Sequence, residues 1–172
     1  MQRRRGLSPH TNDRDPLELI ARLLVTGSYR VPLEGRSSRP TLRPCDVAGA
    51  MGYMRGCLER AAAMAVATRA GDAEIAQLSA QAYRRVLRQV LGLRSCPLDL
   101  HSGADRWRVR MVVYDAAQEL VWPERRIPRA AAARRAKMRL ATYVEIHKVA
   151  SGVLQQALAD ARAEFGRRLF AG

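Results

Sequence analysis

The stretch "ARRAKMRLATYVEIHK", residues 133–148, holds the side chains best suited to chemistry in this sequence. A short basic segment leads to a possible turn and then an amphipathic run. A helix-turn-helix needs a small residue inside its first helix, an apolar residue in the turn, and apolar residues where the second helix meets the first. Ala133, Met138, and Tyr143 with Ile146 can fill those roles. Lys137 departs from the pattern, because the turn often needs positive φ and Gly is common there. On this reading the outward residues early in the second helix are Arg139, Thr142, Glu145 and Lys148. They are the candidates for base contacts: Arg139 for a guanine edge, Glu145 for cytosine N4. Arg125, Arg126, Arg129, Arg134 and Arg135 are candidates for phosphate contacts, which give affinity and register but no sequence information.

The composition agrees with an anionic partner. The 172 residues carry 30 Lys and Arg against 16 Asp and Glu, a formal charge of +14. All but Lys137 and Lys148 of these cations are Arg, whose planar fork suits phosphates and guanine edges. A GC-rich genome also raises Arg and Ala, but codon bias alone does not unbalance acids and bases this far. Residues 123–172 hold eleven of the cations and four of the acids, so half of the net charge lies there.

Other chemistry is poorly represented. Cys45, Cys57 and Cys96 are odd in number and lack C-x-x-C spacing, which argues against a disulfide framework and a zinc site and fits a reducing cytoplasm. His10, His101 and His147 lie far apart without companions at ligand spacing, so no metal or other cofactor is expected. His147 reads as a surface residue or a DNA contact. Asp115 and Glu119 stand one helical turn apart and read as solvated. With no nucleophile–base arrangement and no Gly-rich phosphate loop, the expectation is a protein that is not an enzyme. No apolar run approaches the ~20 residues of a membrane span. The start "MQRRRGLSPH" has no apolar segment behind its basic residues, so no signal peptide is expected.

The elements that must position these residues read as helices. Only 5% of the chain is aromatic, so Ala and Leu fill the core, as in closely packed helices. Residues 1–14 form a basic arm, and "DPLELIARLL" a short helix capped by Asp15. The loop that follows, to residue 44, carries Arg30, Arg36, Arg39 and Arg43 and a short extended piece at 29–31. Asp46 can cap one continuous helix reaching Gly71, and Asp72 can cap another, with Ile75, Leu78, Ala82, Val86 and Val90 as its buried stripe. The two should form a hairpin. Arg106, Arg108 and Arg110 alternate with apolar residues as on a strand, but "DAAQEL" and the lack of a partner strand favour a helix over 105–121. After Pro128 come "RAAAARRAKM" and a long helix with Tyr143, Ile146, Ala150, Val153, Ala157 and Phe165 near one face. The reading is a mostly α bundle: arm, short helix and loop (1–44), helical core (45–122), and basic helix-turn-helix-like region (123–172).

"CDVAGAMGYMRG", residues 45–56, is similar to a "DV-x-x-AMG" stretch in the late-gene antiterminator Q family of lambda-like phages. "AAARRAKMRLATYVEIHK", residues 131–148, resembles the DNA-binding end of that family in order and placement. The resemblance implies binding to a DNA element near a late promoter, loading onto paused RNA polymerase, and readthrough of terminators. It departs at "VWPERRIPRAA", where the lambda protein has a Cys-rich zinc insertion. Two other readings remain. One is a DNA-packaging or architectural protein of small-terminase type, although such proteins usually place the DNA-binding unit first. The other is a helical interaction protein whose Arg faces bind RNA or an acidic partner.

Overall fold

A computed structural model describes residues 16–22, 43–93, 98–99 and 101–170. The basic arm, Asp15, Arg30, Arg36, Arg39, the extended piece at 29–31, His10 and Cys96 lie outside the described residues. Among the described residues the fold is all helical, without strands. The helices are α1 (Pro16–Ile20), α2 (Pro44–Gly52), α3 (Cys57–Ala67), α4 (Asp72–Leu91), α5 (Gly103–Val121), α6 (Arg129–Arg135) and α7 (Leu140–Phe170). A 3-10 turn, Pro123–Arg125, follows α5. No helix among the described residues is long and apolar enough to cross a membrane.

The axis of the bundle is α7, whose 31 residues span about 46 Å at ~1.5 Å per residue. Tyr143, Ile146, Ala150, Leu154, Ala157, Ala161 and Phe165 recur at helical spacing and are all but inaccessible to solvent. They let α7 pack on α2, α3, α4, α5 and α6. The segment after residue 123 thus shares one hydrophobic cluster with the helices before it. Ala62, Ala63, Ala82, Ala116, Ala117, Ala150 and Ala157 are all buried, so a core with few aromatics closes by bringing helices near one another.

The stripe expected on α4 is buried residue for residue. The strand-like alternation of Arg106, Arg108 and Arg110 sits in α5, whose buried residues include Val109, Val112, Val113, Ala116 and Ala117.

Three local expectations are corrected. The single helix expected from Asp46 to Gly71 is two, α2 and α3, broken at residues 53–56. Gly52 and Gly56 flank the break, each worth about 1 kcal/mol less than Ala in a helix. A Cβ at Gly56 would come within 1.9 Å of a Glu59 carboxylate oxygen, which folds back over the start of α3. Asp46 is not the N-cap of α2. Arg43 is, Pro44 takes the first helical position, and the Asp46 carboxylate accepts the Arg43 backbone N–H at 2.8 Å. Asp72 is likewise the first residue of α4, after Gly71 as N-cap.

Candidate nucleic-acid interface

The region around α6 is built from a turn and a network. Pro128 leads into α6, and Ala132 and Ala133 are its buried face. At its end the Met138 N–H donates to the Ala133 carbonyl and the Lys137 N–H to the Arg134 carbonyl, both at 3.0 Å. This paired closure places Lys137 at φ 52°, the left-handed position that glycine favours. The turn therefore forms with a lysine where glycine would be easiest. Met138, half-buried, joins the core, and Leu140 opens α7. Ala133, Tyr143 and Ile146, expected as packing residues, are all buried.

Two carboxylates of α5 anchor this region. Asp115 is buried, accepts the Tyr143 hydroxyl at 2.9 Å and pairs with Arg135. Burial pushes its carboxyl above the ordinary value, against the Tyr143 hydrogen bond and the Arg135 charge. Glu119 takes Arg129 in a two-pronged contact, at 2.7 and 3.1 Å, and Arg126 at 3.2 Å. Burial raises its carboxyl, but the Arg129 hydrogen bond and charge, with His147 and Arg126, outweigh it and hold it below the usual range.

His147 closes the network, only 4% exposed. Its Nε2 is 2.8 Å from an Arg129 nitrogen, and its Nδ1 is 3.1 Å from Ser151 Oγ. The same Nε2 is 3.2 Å from Glu119 Oε2; arginine can only donate, so where Nε2 accepts from the closer Arg129 the proton sits on Nδ1 toward Ser151. Burial, then the Arg129 charge, lowers the imidazole below its ordinary value, consistent with a neutral ring. The cavity bordered by Asp115, Glu119, Arg126, Arg129 and Tyr143 is about 10 Å³, room for one water at most. The network is a structural clamp.

The expected site residues therefore separate. Arg134, Arg139, Glu145 and Lys148 are exposed. Arg134, Arg139 and Lys148 have no carboxylate partner among the described residues. Lys137, missing from the expected contacts, is exposed in the turn between them. Arg126, Arg129 and Arg135 are held by the α5 carboxylates. Arg125 lies over the Trp122 ring at 4.4 Å, with Arg69 over the same ring at 5.0 Å.

Three assignments are corrected. Thr142, expected among the base contacts, is buried at 7% exposure. It stands four residues before Ile146 and eight before Ala150, on the inward row of α7. His147 stands four residues after Tyr143 and is buried, not on the surface. Asp115 and Glu119 are clamped, not solvated.

The cations left open on the surface are Arg134, Lys137 and Arg139 around the turn and Lys148 further along α7, with Leu140 and Val144 half-exposed between them in sequence. The N-terminus of α7 adds the positive end of its dipole to that surface. Compared with family models, curated proteins and solved structures, the chain matches none.

Proposed function

We propose that this protein binds double-stranded DNA through the turn between α6 and α7 and the first turns of α7, and reads sequence there as a transcription regulator. The observation that carries this reading is the set of four exposed cations, Arg134, Lys137, Arg139 and Lys148, without carboxylate partners among the described residues. Three of them border the start of α7, and Lys148 lies in its third turn. Arg134 and Lys137 would hold phosphates. Arg139, Glu145 and Lys148 would face base edges, and exposed Leu140 and Val144 could meet thymine methyls. The clamped Arg126, Arg129 and Arg135 would serve by fixing α6 in place. The further step, late-gene antitermination in a phage or prophage with RNA polymerase as partner, is supported by the motif resemblance at residues 45–56 and 131–148 alone.

The test is selection from a random-sequence duplex library by the full chain at about 0.15 M salt, where non-specific binding is weak. One enriched sequence is expected. Arg139→Ala should then cost about 1–3 kcal/mol on that sequence and little on random DNA. Arg134→Ala should weaken both alike and flatten the salt slope by about one unit. Equal weakening on both by Arg139→Ala would remove base reading, and failure to retain any duplex would remove DNA as the partner. Transcription across a terminator downstream of the selected site then tests antitermination directly.

A further inference from the structure

The far side of α5 carries a second cationic feature that the DNA reading does not use. A cavity of about 520 Å³ lies between α4 and α5, lined by Ser79, Tyr83, Arg84 and Leu87 from one helix and Arg106 and Arg110 from the other. That volume falls in the range of small-ligand sites, roughly 300–1,000 Å³. Arg106 and Asp115, like Arg110 and Glu119, are nine residues apart on α5, about two and a half turns, and so lie on opposite sides of the helix. The cavity is thus separate from the α6 clamp.

Its arginines differ from several others of the bundle, which carboxylates neutralise. Arg85 pairs with Glu59, Arg108 with Asp105, Arg129 with Glu119 and Arg135 with Asp115. Among the described residues Arg84, Arg106 and Arg110 have no carboxylate partner. Two of the three are nonetheless oriented by neutral groups. Arg106 donates to the His101 carbonyl at 3.0 Å, and Arg110 lies over the Tyr83 ring at 5.0 Å. The Tyr83 hydroxyl is itself covered and without a hydrogen-bond partner. Three guanidinium groups facing one cavity repel each other, and an anion between them relieves that repulsion while taking their paired N–H donors. Leu87 supplies an apolar wall for the body of such a ligand.

We propose that this groove is a second anion site that binds the phosphate of a nucleotide, either free or at the end of a single strand. A duplex is too wide to enter a groove between two packed helices, so the occupant differs from the ligand of the α6–α7 surface.

The experiment titrates the full chain with ADP and, separately, with a 5′-phosphorylated single-stranded dodecanucleotide, by calorimetry. Two variants lose the same charge: Arg106→Gln with Arg110→Gln in the groove, and Arg134→Gln with Lys148→Gln on the α6–α7 surface. The groove variant should weaken binding at least about tenfold, as expected for two lost charge-assisted contacts, while the other stays within about twofold. Binding of ADP as tight as that of the strand identifies a free-nucleotide site, and tighter binding of the strand identifies a strand-end site. If the double groove variant melts early, Arg84→Gln, at an exposed position, replaces it. Equal losses in both variants would show attraction by overall charge and overturn the proposal, as would no binding of either probe at about 1 mM. Duplex retention is scored separately, so loss of the DNA reading leaves this result standing.

Discussion

Arg134 and Arg135 are neighbours in sequence, and the fold uses them in opposite ways. Arg135 faces α5 and is held by buried Asp115, whereas Arg134 points away without a carboxylate partner among the described residues. The same division runs through the whole region. Arg126 and Arg129 are tied to Glu119, while Lys137, Arg139 and Lys148 are open. What distinguishes the two sets is the helix opposite. A carboxylate within reach turns an arginine into a brace, and its absence leaves the charge available to a ligand. Counting basic residues cannot separate the two roles, which makes the division open to test.

The largest expected effect is at the centre of the clamp. Asp115→Ala strands the hydroxyl of Tyr143, a fully buried residue, and should lower stability by about 2 kcal/mol, read as a fall in urea midpoint. Arg135 is half-exposed and can return to water, so it adds little to that cost. Tyr143→Phe removes the donor cleanly and should cost about 1 kcal/mol. Arg134→Ala should stay within about 0.5 kcal/mol, as surface changes do. A large loss from Arg134→Ala, or none from Asp115→Ala, would erase the distinction between brace and open cation.

Arg129→Gln sharpens it from the other side. The change leaves Glu119 and His147 without their main partner and should cost about 1–2 kcal/mol of stability. It should leave the salt slope of DNA binding unchanged, whereas Arg134→Ala should flatten the slope by about one unit. A flattened slope for Arg129→Gln would mean that Arg129 leaves the clamp for a phosphate.

Legibility in the sequence follows the same line. The buried stripe of α4 and the inward face of α7 could be read because both depend on spacing within one helix. Thr142 and His147 were readable in the same way, since each shares a row with residues already expected inside. Letting their polar character outweigh their position is what puts them outside. The clamp was not readable. Asp115 meets Tyr143 across 28 residues, and Glu119 meets His147 on another helix, so each pairing depends on how α5, α6 and α7 pack. The break between α2 and α3 lay between: the glycines were visible, but Glu59 folds back over Gly56 while it pairs with Arg85 of α4, and that pairing is a tertiary fact. The four cations of the open surface were visible as charges, and their openness became evident only once the arginines beside them were accounted for.

The clamp should also respond to pH through His147, which faces Arg129, Glu119, Arg126, Tyr143 and Ser151. Its folded pKa is lowered, so the unfolded chain takes up a proton that the native ring declines. The stability from the neutral ring is therefore complete above the ordinary value of about 6.5 and is lost as pH falls below it. Glu119, whose folded pKa is also lowered, loses its contribution only near and below the usual carboxylate range. Urea unfolding from pH 7.5 to 5 should show stability falling in the wild type and a flatter profile in His147→Gln. Parallel profiles would show that the ring does not titrate against the clamp.

A small effect of the opposite sign, a gain in stability, is expected at the turn. Lys137 pays for a left-handed backbone at φ 52°, and glycine adopts that conformation without a Cβ clash. Lys137→Gly should therefore raise stability by about 0.5–1 kcal/mol while removing one open cation and flattening the DNA salt slope by about one unit. Arg69 is the control, because it closes α3 with the same φ of 52° but also pairs with Glu124 and lies over Trp122. Relief of the backbone and loss of those contacts oppose each other there, so Arg69→Gly should gain less than Lys137→Gly. A lysine kept at a strained position where glycine would be more stable is explained if its charge is used. Should Lys137→Gly gain stability without changing the salt slope, the turn would no longer belong to the interface, and Arg134, Arg139 and Lys148 would have to supply its charge.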